Sequence, residues 1–307
     1  MTAPTTAHHP GLARIARPSG TFAMVAMDQR ESLRAMFAER LPGPIDLERR
    51  VDFKLAVTRI LSPHASGILV DRAEGLDAIL DAGVLDPDCG LIVAADELVQ
   101  PTGGLVQETA LDRDLDLPRA VARGAVAAKL LVIWKPDRSA ATRAELVLEF
   151  LELARSAGTA GIVEGVVRPP DGVDEADWTE REDALLEATR ELGAHRPDLY
   201  KAQVPFNGTG EPEAVAARCR EMTAALPCPW VVLSSGVAID DFAGAVEAAS
   251  RGGASGFLAG RAIWRDAIGA DPEPALRERS VPRLRQLGAI VDAHARPWME
   301  APAPVLA

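Results

Sequence analysis

The chain has only four lysines, Lys54, Lys129, Lys135 and Lys201, and two of them interrupt runs otherwise built largely from Val, Ile, Leu and Ala. Lys129 lies in "AAKLLVIW" (127–134) and Lys201 in "DLYKAQVP" (198–205), while Glu164 is set in "AGIVEGVVRP" (160–169). A charge among apolar neighbours is costly unless it is paired or does chemistry. One reading is a structural Lys–Glu pair inside a core. Another is an amine whose basicity is lowered by burial and by a second ammonium, so that it can attack a carbonyl and form a Schiff base. A third lets Lys201 reach a rim and hold an anion as a point charge. Side chains alternate along a strand, so Lys201, Gln203 and Pro205 share one face and Ala202 and Val204 the other.

Further polar residues cluster where apolar runs end. Asp28-Gln29-Arg30 follows "TFAMVAM", Ser234-Ser235-Gly236 follows "PWVVL", and Gly260-Arg261 follows "SGFLA". Glycines that admit backbone N–H groups, hydroxyl donors and an arginine together suit a phosphate site. The simpler alternatives are small residues at tight turns and an acid near a helix N-terminus. No two of His8, His9, His64, His195 and His294 have metal-ligand spacing, and there is no G-x-S-x-G elbow or P-loop. No metal and no cofactor is expected.

The elements that must carry these residues are eight apolar runs: 21–28, 66–71, 90–97, 127–134, 160–169, 198–205, 229–236 and 255–261. Their lack of strict polar alternation suits parallel strands buried on both faces. Segments of helical period, such as "SLRAMFAERL", "RAELVLEFLELARSAG", "EREDALLEATRELG" and "EPEAVAARCREMTAAL", separate them. This order predicts a single (β/α)8 TIM barrel over 20–307, with an N-terminal tail and capping segment over 1–19 and C-terminal closing helices. In such a barrel every strand would end on one catalytic face. A doubly wound sheet is the alternative, although "MDQRES" rather than G-x-G-x-x-G follows the first run.

Composition narrows the partners. The 307 residues carry a formal net charge of -12, with a sequence pI near 5.0 and scattered cations, which argues against nucleic acid or an anionic membrane as partner. A small anionic substrate needs only a few local cations. The longest apolar run is broken by Lys129 and is shorter than the ~20 residues of a membrane span. The N-terminal stretch lacks the apolar centre of a signal peptide, and Cys89, Cys219 and Cys228 show no Cys-x-x-Cys spacing. A cytoplasmic protein with reduced, structural thiols is expected.

Taken in order, "FAMVAMDQRESLRAMF", "SPHASGILVD", "LIVAADE", "KLLVIWKPD", "VVRPP", "DLYKAQVP", "PWVVLSSGV" and "GASGFLAGRAIW" resemble the class I aldolases of the group containing tagatose-1,6-bisphosphate aldolase. Within it the chain looks most like the sulfofructosephosphate aldolases. The resemblance implies a metal-free TIM barrel with Lys201 as the Schiff-base lysine and Lys129 and Glu164 as its companions. It also implies anion-binding loops at Ser234, Ser235 and Gly260-Arg261, and a homodimer or homotetramer. The implied substrate is a ketose phosphate or sulfonate with an anion at each end, for which Asp28-Gln29-Arg30 would offer a second pocket. Two positions depart from the family pattern: Gln203 replaces its glutamate after the lysine, and Gly165 replaces the proline after Glu164. Tagatose- or fructose-bisphosphate cleavage is the rival activity, and a non-catalytic phosphosugar-binding barrel the rival class.

Overall fold

Runs of Val, Ile, Leu and Ala without polar alternation have no face to offer to water, so they pair with one another and are covered on both sides. The computed structural model describes residues 8–99 and 106–303. In it these runs become β1 (Phe22–Met27), β2 (Gly67–Asp71) and β3 (Gly90–Ala94), a hairpin of β4 (Asp96–Val99) and β5 (Glu108–Leu111), then β6 (Ala125–Trp134), β7 (Ala160–Val167), β8 (Leu199–Ala202), β9 (Trp230–Val232) and β10 (Gly256–Ala259). Eight of them close a barrel in the order β1-β10-β9-β8-β7-β6-β3-β2, every neighbouring pair parallel. The expected TIM barrel is present.

The third run differs from expectation. It does not continue as one strand over 90–97. The chain leaves the barrel at Ala95 and turns into the antiparallel hairpin β4–β5 before β6 begins. Helices also form over Leu47–Leu61 and Phe242–Arg251, beyond the segments named from periodicity. The first has a conventional start, with the Asp46 carboxylate accepting the Arg49 N–H at 2.9 Å.

Of the expected tail and cap, residues 1–7 lie outside the described residues. The rest is packed: Gly11–Arg14 is a short helix whose Leu12, with Ile15 beyond it, joins Phe22, Met24, Leu69 and Ile92 in the lower interior. Arg17 holds this segment to the closing helix Val281–His294 through Asp292 at 2.6 Å. Above the lower apolar layer lies a charged layer, and above that a second apolar layer of Leu131, Ile133, Val166 and Leu233. Stacked layers of inward side chains are how such barrels fill their interior.

Gly165 is explained by its outward neighbour. A Cβ there would collide with the hydroxyl of Tyr200 on β8 and stand 3.1 Å from Leu192. The space outside Gly165 is filled by the chain's single tyrosine.

Candidate active site

Strand register assembles the charged layer. Glu164 on β7 is the direct partner of Lys201 on β8, so both side chains point the same way, into the barrel. Lys201 Nζ lies 2.8 Å from Glu164 Oε2. Lys129 on β6 sits beside them, with Asp28 Oδ2 at 2.6 Å, Asp96 Oδ2 at 2.7 Å and Glu164 Oε2 at 3.5 Å from its Nζ. Lys129 and Lys201 are 1% and 3% exposed, so these contacts are made out of bulk water.

Burial alone would push Lys129 towards its neutral form. Asp28, Asp96 and Glu164 outweigh it and raise the lysine above its ordinary range. Burial likewise opposes ionisation of Asp28, but attraction to Lys129 and then Lys201 holds its carboxyl well below the usual carboxylate range. The structure therefore differs from the picture of Lys129 as a bare second ammonium beside the nucleophile. Its charge is matched by carboxylates, and Asp96, which also accepts the Leu131 N–H at 2.9 Å, was not singled out from sequence.

Arg30 has a different place from the one expected. Its guanidinium donates to the Asp96 carbonyl at 2.9 Å and carboxylate at 3.2 Å, and its Nε stands 3.8 Å from Asp71 Oδ2. Asp71 in turn pairs with the fully buried Lys54 from helix Leu47–Leu61. Burial pushes the Asp71 carboxyl up, with Lys54 and Arg30 opposing. Arg30 thus supports the carboxylate that holds Lys129 through Nη2, while its buried Nε faces Asp71 without a hydrogen bond.

A pocket of about 130 Å3 opens above the layer. It gathers Asp28, Gln29, Lys129, Glu164, Lys201, Ser235 and Arg261 of the expected residues. Arg30, Ser234, Gly236 and Gly260 do not line it. Ser234 is buried, and Gly236 turns the chain at φ +84°, where Asn207 Oδ1 stands 2.7 Å from the position of a Cβ. Gly260 lets the β10 exit pass the Ala26 carbonyl, which a Cβ would crowd at 2.6 Å. Arg261 donates to Ser235 Oγ at 3.0 Å. Burial and then Arg168 lower its affinity for its proton. Besides the expected residues, the pocket is lined by apolar Leu98, Val106, Leu131, Ile133 and Val166 and by Arg168 at the end of β7.

Gln203 acquires a role here. Its Oε1 accepts the Val167 N–H at 2.7 Å, tying the end of β7 to β8. An amide makes this bond without adding a negative charge to a layer whose ions are already matched.

The outcome is a lysine and a carboxylate in contact, a second lysine on the same carboxylate oxygen, and arginine with serine at the mouth. That set suits covalent attack on a carbonyl, proton transfer beside it, and the holding of an anion. Residues 22–266 match the DeoC/LacD family aldolase pattern. The chain belongs to the DeoC/LacD aldolase family. As a member it is a class I aldolase, a carbon–carbon lyase. Relatives of the family include a tagatose 1,6-diphosphate aldolase of Listeria monocytogenes, 29% identical over 317 residues and covering 94% of this chain and 92% of that one. Tagatose 1,6-diphosphate aldolase 2 of Streptococcus mutans is 25% identical over 326 residues, covering 94% and 95%. An archaeal fructose 1,6-bisphosphate aldolase shares the fold with a TM-score of 0.63 at 17% identity, over 92% of this chain and 98% of its own. Among the described residues, no helix is long and apolar enough to cross a membrane.

Proposed function

We propose that this aldolase works through a Schiff base on Lys201 and cleaves a ketose 1-phosphate that carries a second oxyanion at its far end. The observation that carries the reading is the 2.8 Å contact between Lys201 Nζ and Glu164 Oε2 inside a desolvated layer. Proton transfer from the ammonium to Glu164 frees the amine, which adds to the C2 carbonyl of the substrate. The carbinolamine hydroxyl then leaves as water with the proton from Glu164, giving an iminium and restoring the carboxylate. Glu164 next takes the C4 hydroxyl proton as the C3–C4 bond breaks, and the bonding electrons pass to the iminium to form an enamine. Protonation at C3 and hydrolysis release dihydroxyacetone phosphate and regenerate the amine. The iminium is the electron sink, so this route calls for no metal. Lys129, fixed by Asp28 and Asp96, keeps Glu164 Oε2 oriented towards Lys201.

The substrate we favour is 6-deoxy-6-sulfofructose 1-phosphate, with 3-sulfolactaldehyde as the second product, because the chain's motifs most resemble those of sulfofructosephosphate aldolases. The names of its relatives support a second reading, cleavage of tagatose 1,6-bisphosphate. Phosphate and sulfonate are both tetrahedral oxyanions and differ at neutral pH by about one charge.

Borohydride reduction in the presence of dihydroxyacetone phosphate, followed by peptide mapping, tests the mechanism: a stable adduct on Lys201 is expected, and its absence overturns the reading. Comparing kcat/KM for the sulfonated ketose with those for tagatose and fructose bisphosphates decides between the substrates.

A further inference from the structure

The two-ended substrate just proposed needs two cationic sites, and sequence alone offered Arg30 for the second. Arg30 faces Asp71 and Asp96 and does not line the pocket, although its Nε also lacks a hydrogen-bond partner. Arg168, which leaves β7 four residues after Glu164, is differently placed. It is 9% exposed and lines the same pocket as Lys201 and Arg261. Its buried Nε has no hydrogen-bond partner. Its Nη1 makes only a long contact to the Val167 carbonyl at 3.4 Å and a 3.5 Å pairing with Glu175, whose side chain is 44% exposed. Compare Arg143, equally buried, which forms a two-pronged pairing with Glu191 at 2.6 and 2.7 Å. A guanidinium taken out of water with donors unfilled is costly unless an anion arrives to accept them.

Its position on the barrel says which anion. Glu164 acts on the C4 hydroxyl, which belongs to the half of the substrate released as aldehyde, so that half lies along β7. Arg168 is the inward residue at the end of that strand, two alternations beyond Glu164. Arg261 and Ser235 follow β10 and β9, on the opposite side of Lys201, where TIM barrels commonly seat a phosphate.

Resting on the aldolase reading above, we propose that Arg168 binds the terminal tetrahedral oxyanion of the aldehyde half, sulfonate or phosphate, leaving Arg261 and Ser235 to the phosphate of the ketone half. The arginine supplies planar paired donors to the far end and fixes the length of substrate that reaches Lys201 and Glu164 together.

The test uses the full chain with Arg168→Met and Arg168→Lys. In the methionine variant, KM for the two-anion ketose should rise about 10-fold or more, as expected for losing a charge-assisted donor pair. In the condensation direction, kcat/KM should fall for glyceraldehyde 3-phosphate or 3-sulfolactaldehyde and stay near the wild-type value for neutral glyceraldehyde. The larger loss of the two identifies the natural oxyanion. The dependence of borohydride trapping on dihydroxyacetone phosphate concentration should not move, and Arg168→Lys should recover part of the loss. Equal losses with charged and neutral aldehydes, or a shifted trapping curve, overturn the assignment. Wild-type protein that fails to trap dihydroxyacetone phosphate overturns instead the Schiff-base reading on which it rests.

Discussion

Glu164 Oε2 is shared: it lies 2.8 Å from Lys201 Nζ and 3.5 Å from Lys129 Nζ. One carboxylate oxygen therefore faces both the amine proposed to react and the lysine held by Asp28 and Asp96. Replacing Glu164 by Gln keeps the shape and removes the proton acceptor. Cleavage should fall roughly 100- to 10,000-fold, the usual weight of a positioned acid–base group. Borohydride trapping of dihydroxyacetone phosphate should still mark Lys201, slowly. Full cleavage activity in Glu164→Gln would remove this residue from the proposed mechanism.

Lys129→Met should cost about 3–5 kcal/mol of stability, because it leaves buried carboxylates without their counter-charge. The pH dependence has a definite sign. A lysine raised above its unfolded value contributes fully below that value, about 10.4, and loses its contribution only as pH climbs through the higher folded one. The stability gap between wild type and Lys129→Met, read from urea midpoints, should therefore not close as pH rises from 7 to 9. A gap that closes within that interval would show that Lys129 is not held charged by its three carboxylates.

Gly165→Ala introduces a methyl group where the Tyr200 hydroxyl already stands. Overpacking of this kind costs about 1–3 kcal/mol. In a Tyr200→Phe background much of that cost should disappear, since the clashing oxygen is gone. A double-mutant cycle measured by thermal melting reads the coupling directly, and additive penalties would mean the wall yields elsewhere.

Asp292 anchors the N-terminal segment. Arg17 above all, then against burial Ser19 and Thr21, lower its carboxyl to about 2. A depressed carboxylate contributes above its unfolded value and loses that contribution as pH falls towards its folded one. Its side chain is 36% exposed, so solvent screening limits the contribution to under about 1 kcal/mol. Asp292→Asn should be less stable than wild type at pH 6, and the two should converge near pH 2. Divergence on acidification would contradict the pairing.

The barrel could be read from the chain because both-face burial leaves apolar runs that nothing else explains. Lys129, Glu164 and Lys201 stood out because a charge inside such a run has to be compensated. The hairpin β4–β5 did not, since "GLIVAADE" looks the same whether the chain stays in the barrel after Ala94 or leaves it. Asp96 and Arg168 were hidden at strand ends, where polar residues pass as loop. Parity held the missing signal for Arg168, which shares the inward alternation of Glu164 and Val166. Arg30 was visible, but its partner Asp71 comes from the end of another strand, and neighbours across a barrel are set by closure and not by distance along the sequence.

The layered interior has a consequence for the covalent intermediate proposed on Lys201. Asp28, Asp71, Glu74, Asp96 and Glu164 face Arg30, Arg50, Lys54, Lys129 and Lys201, five negative charges against five positive. An iminium on Lys201 carries the same single positive charge as the ammonium it replaces. The charged layer would thus meet the iminium with its own balance unaltered: carbon takes the place of protons on nitrogen, and no buried carboxylate has to find a new counter-ion.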